Sequence, residues 1–86
     1  MNRERGRRRL MLRLPGIRAC LSAEPSEALG DMFESYFLAA DALDRLMRET
    51  PKQPSLIAEY TELCREIEQE VLIHCTDKRQ IQHRLK

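Results

Sequence analysis

The chain has 86 residues with no Trp, two Phe, two Tyr, three Cys and a net charge of +1. A single chain of this size buries a modest core, worth about 3–5 kcal/mol without staples, so a partner or a second copy would help it. The composition argues against two further classes. Cys20, Cys64 and Cys75 form an odd set with no CxxC spacing, which argues against a secreted disulfide scaffold and for a reducing, cytoplasmic setting. No run approaches the ~20 apolar residues that a membrane span needs.

The small net charge hides a strong asymmetry. Residues 1–18 carry seven Arg against Glu4 alone, a net of +6, whereas the remaining residues carry eight basic and thirteen acidic side chains, a net of −5. Pro15-Gly16 interrupts any helix begun over Arg7–Leu14. Residues 1–21 are therefore set apart as a basic arm, disordered or a short helix, and residues 22–86 as the folded body.

The first body helix is expected from about Pro25 to Glu49. Pro25 suits a first helical position, Glu27 and Asp31 sit near the positive end of the dipole, and Arg45 and Arg48 near the negative end. Leu29, Phe33, Tyr36, Ala40, Leu43 and Met47 make one apolar stripe, and Met32, Tyr36, Ala39, Leu43 and Leu46 a neighbouring one, so the apolar face is broad.

Thr50-Pro51-Lys52-Gln53-Pro54 then breaks the chain, and Pro54 can open a second helix over about 54–83. Along it Ile57, Tyr60, Cys64, Ile67, Val71, His74, Lys78, Ile81 and Leu85 keep a 3-4-3-4 spacing, the repeat of a helix packed lengthwise on another. The short turn predicts an all-α fold built on an antiparallel, coiled-coil-like hairpin of two long amphipathic helices.

More apolar surface is present than one hairpin hides. Tyr36-Phe37-Leu38-Ala39-Ala40 is apolar almost all round, and Leu72 and Ile73 lie off the seam. The expectation is a four-helix bundle completed by dimerisation or by docking a partner's amphipathic helix. Its interface is assigned to Leu29, Met32, Phe33, Tyr36, Phe37, Leu43, Met47, Ile57, Tyr60, Ile67, Val71, Leu72 and Ile73. In the alternative, the arm folds back through Leu10, Leu14 and Ile17, spaced by four and three, as a third short helix.

Chemistry-bearing patterns are sparse. His74 followed by Lys78 resembles the pair of histidine phosphotransfer domains, but that family places Lys three residues after His and then Gly, whereas here the spacing is four and Arg79 follows. His74 is read as a seam residue. Cys64 and His74 would stand about 15 Å apart along a helix, and His74 and Cys75 point about 100° apart, so with His83 they do not make one metal site. Glu62, Glu66 and Glu70, at i,i+4 spacing, fall on the solvated back of the helix, away from any cleft that would perturb them. No catalytic residue, metal or cofactor is assigned.

The arm has three readings. Arg7, Arg8, Arg9 and Arg13 could contact nucleic-acid phosphates, although residues 1–18 lack an aromatic side chain for base stacking. The Arg-rich segment also resembles a mitochondrial presequence, with Glu4 and the absence of Ser or Thr before Ser22 departing from that pattern. The third reading is an unstructured extension. The function expected is a small non-enzymatic protein-binding module, an adaptor, chaperone or assembly subunit; the alternative is a nucleic-acid-binding regulator using the arm on a helical dimer.

Overall fold

The computed structural model describes residues 2–23 and 26–84, with side chains described through residue 76. The described residues hold four α-helices, α1 (Asn2–Arg13), α2 (Arg18–Ser22), α3 (Glu27–Arg48) and α4 (Pro54–Arg84), with a 3-10 turn over Pro15–Ile17. No strand occurs among them. The protein is all-α, and it is elongated, 56 Å by 24 Å by 20 Å.

Local chemistry sets the helix ends. Ser26 caps α3, its Oγ accepting from the Leu29 N–H at 3.2 Å, and Glu27 stands in the first turn. The expected start near Pro25 is thus refined: the hydroxyl of Ser26 satisfies an N–H that the first turn leaves without an intrahelical partner. Arg45 and Arg48 occupy the last turn, and the ammonium of Lys52, beyond the helix, donates to the carbonyl of Met47 within that turn. α4 opens on Pro54, whose missing N–H would have had no partner there.

α3 is the central element. α1 packs along it, and so does α4, while α1 and α4 scarcely touch each other. Arg3 reaches Asp31 and Arg9 reaches Asp44, so residue numbers rise together along α1 and α3. On the other flank Tyr36 reaches Glu68, and Ala40 and Asp44 share a recess with Cys64 and Thr61. The core joins Leu10, Ile17 and Leu21 to Leu29, Phe33, Tyr36, Ala39, Ala40, Cys64, Ile67, Val71 and Cys75.

The arm is thereby part of the body. Leu10 and Leu21 are fully buried and Ile17 nearly so, which for aliphatic side chains contributes about 1.5–3 kcal/mol each. Pro15-Gly16 interrupts α1 as expected, but the interruption turns the chain so that Ile17 and Leu21 join Leu10 in one core. Gly6 permits the close approach: a Cβ there would fall on the carbonyl of Phe33. Part of the apolar surplus assigned to a partner is therefore covered by residues 2–22.

The cysteines also need correction. Cys20 and Cys75 form a disulfide across 55 residues, joining α2 to α4, and Cys64 remains a buried thiol. Spacing along the chain gave no sign of this, because the pairing depends on the return of the chain through α2. Lys78, His83, Ile81 and Leu85 lie outside the residues whose side chains are described.

Candidate interaction face

The residues expected to meet a partner divide into three groups. Leu29, Phe33, Tyr36, Ile67 and Val71 lie inside the single chain, with Phe33 1 % and Val71 0 % exposed. Met32, Phe37, Leu43, Ile57 and Tyr60 are half-buried at its edges. Met47 and Ile73 are more than half exposed, and Leu72 is exposed beside Ile73. Leu38, Leu56 and Leu63, which the seam pattern does not mark, are exposed as well. α4 thus buries Cys64, Ile67, Val71 and Cys75 along one line and leaves Leu56 and Leu63, seven residues apart, on an adjoining line.

The four arginines proposed for phosphate contact each have an acceptor within the chain. Arg7 pairs with Glu4 and also donates to the Leu21 carbonyl at 3.4 Å. Arg8 donates to Glu4 at 3.2 Å, Arg9 to Asp44 at 2.9 Å, and Arg13 to Glu68 at 3.3 Å. Arg5 and Arg9 also stand over the Phe37 ring, 5.7 and 5.9 Å from its centroid. The guanidinium of Arg7 holds the Glu4 carboxyl below its ordinary pKa.

Between α1 and α4, over the middle of α3, lies a cleft of about 350 Å³. Its floor is Ala40, Leu43 and Cys64, and Arg9, Arg13, Asp44, Arg65 and Glu68 form the rim. Tyr36 donates its hydroxyl to Glu68 Oε2 at 2.6 Å, and Arg13 donates to the same oxygen. This three-membered contact is the polar link from α1 through α3 to α4. Sequence reading passed over Glu68 and Asp44, although Glu68 stands one turn beyond Cys64 on the flank of the seam.

Burial, and then the bond to Glu68, push the Tyr36 phenol well above its ordinary value. A folded-state pKa above the unfolded one, about 10 for tyrosine, means that this stabilisation is complete below pH 10 and is lost as pH rises beyond it. Urea midpoints followed by circular dichroism from pH 9 to pH 12 should fall more steeply for the wild type than for Tyr36→Phe. Equal slopes would show that another group governs alkaline unfolding. Burial likewise raises the Cys64 thiol, leaving it a poor nucleophile near neutrality.

Among the described residues, no cluster of three or more His, Cys, Asp or Glu side chains could hold a metal, and no helix is long and apolar enough to cross a membrane. Searches against protein-family models, curated proteins and solved structures give no match to this chain.

Proposed function

We propose that this chain is a small non-enzymatic protein-binding module in which α3 and α4 act as an antiparallel hairpin and offer an apolar helical face to a second copy or to a partner's amphipathic helix. The supporting observation is the set of large apolar side chains left exposed on those two helices, Leu38, Met47, Leu56, Leu63, Leu72 and Ile73. Scattered surface leucines are ordinary, and Leu38 and Met47, nine residues apart, fall on opposite sides of α3; the receptive line is that of Leu56 and Leu63, seven residues apart on one side of α4. Adding helices to that face would complete a four-helix assembly. The role is that of an adaptor, chaperone or assembly subunit; the Cys20–Cys75 disulfide removes the argument that the cysteines made for a reducing, cytoplasmic setting.

The nucleic-acid alternative draws less support. Arg7, Arg8, Arg9 and Arg13 would have to exchange intramolecular acceptors for phosphates, and the body that holds them is acidic.

Sedimentation velocity across micromolar concentrations tests the protein-binding reading. The wild type should form dimers or larger species, and Leu56→Glu/Leu63→Glu should shift it towards monomer while helix content stays unchanged. A folded wild-type monomer whose melting is independent of concentration would overturn the self-pairing form of the proposal. The partner form would fail if that monomer also showed no binding to a panel of amphipathic helical peptides.

A further inference from the structure

α4 carries a second line of helical spacing beside its buried one. Leu56, Glu59, Leu63, Glu66, Glu70 and Ile73 are all exposed and follow one another by three and four residues, so they share one side of the helix. Among the described residues, no ion pair uses Glu59, Glu66 or Glu70, whereas Asp31, Asp44 and Glu68 are each matched by an arginine of α1. α1 presents the complementary pattern. Its Gly6 and Leu10 are buried, and on the opposite side Arg5, Arg8 and Leu12, spaced by three and four, are exposed. Leu12 is 78 % exposed, more than any other large apolar side chain among the described residues. Arg8 donates to Glu4 of its own helix, but on an exposed side chain, where such a pair contributes little and is readily exchanged.

We infer that the exposed line of α4 is the docking site for α1 of a second copy of this chain, with Arg5 and Arg8 set against its glutamates and Leu12 against its leucines. The inference rests on the protein-binding reading above and names the occupant of that face. Within one chain the two lines do not meet, because the inner side of α1 is packed on α3 and α1 scarcely touches α4. Two α4 lines set against each other would bring glutamate to glutamate, which repels, so the charges select α1 as the partner while the leucines supply the attraction. The contact is head-to-tail: each added copy still presents one free α1 and one free α4, and association continues past the dimer unless the rotation closes a ring.

The test is sedimentation velocity on the full chain in low and high sodium chloride, followed by a charge swap. Raising the salt from roughly 50 mM to roughly 500 mM should lower the association constant on the order of fivefold, because exposed charges are then screened. Glu59→Lys/Glu66→Lys/Glu70→Lys and Arg5→Glu/Arg8→Glu should each fail to self-associate, and mixing the two variants should restore association, since each then offers the charge that the other needs. A chain lacking residues 1–22 has no α1 to offer, so the species it forms through uncovered α3 should not respond to salt. The inference is overturned by a full chain that stays monomeric or whose association ignores salt, or by a mixture of folded variants that stays dissociated. The salt response of the unaltered chain decides the matter even where a variant loses helix content. Association abolished by Leu56→Glu/Leu63→Glu yet indifferent to salt and to charge reversal would leave the protein-binding reading standing and remove α1 as the occupant.

Discussion

Replacing Phe33 by Ala is expected to lower unfolding stability by about 3–5 kcal/mol, the cost of emptying a buried aromatic site. The side chain is 1 % exposed in the core shared by α1, α3 and α4, and the backbone carbonyl of Phe33 lies against Gly6. The site therefore has little freedom to collapse around the missing ring. For a domain whose total stability is of the same order, such a loss leaves the variant largely unfolded at room temperature. Urea denaturation monitored by circular dichroism measures it; a cost under about 1 kcal/mol would mean that α1 and α3 close over the gap.

Removing residues 1–22 should have the second large effect, and it should appear as a change of association state. Leu10, Ile17 and Leu21 leave with the segment, exposing Leu29 and Phe33 on α3. The truncated chain is expected to retain helical circular dichroism but to sediment as a larger species than the full chain at the same concentration. A truncated chain that matches the full-length protein in stability and sedimentation would show that α1 and α2 contribute nothing to the core. This outcome reverses what a separate basic arm would lead one to expect, and the reversal follows from three buried aliphatic side chains.

The all-helical character was legible because its signals are local. The α3 stripe from Leu29 to Met47, the charge order from Glu27 to Arg48 and the break from Thr50 to Pro54 all act within a few turns. The place of residues 2–22 was harder to see. Seven arginines dominate that segment by composition, while its packing depends on Leu10, Ile17, Leu21 and the missing side chain of Gly6. Composition weighs every residue equally, but packing weighs the few that face inward. The acceptors of the arginines, Asp31, Asp44 and Glu68, sit 28, 35 and 55 residues away, beyond the reach of any periodicity rule. The same reasoning applies to Cys20 and Cys75, whose meeting is a property of the path through α2.

The central position of α3 also orders events during synthesis. α1 and α2 leave the ribosome first, yet the helix they pack on is made later, and a lone helix of twelve residues is marginal in water. Residues 2–22 must therefore wait, exposed, until Phe33 and its neighbours emerge. Cys20 waits longer still, for Cys75 near the far end of α4. A chain stalled before that point carries an unpaired Cys20 however well its earlier helices have formed, so the bond records that translation has passed residue 75 and that α4 has found its place.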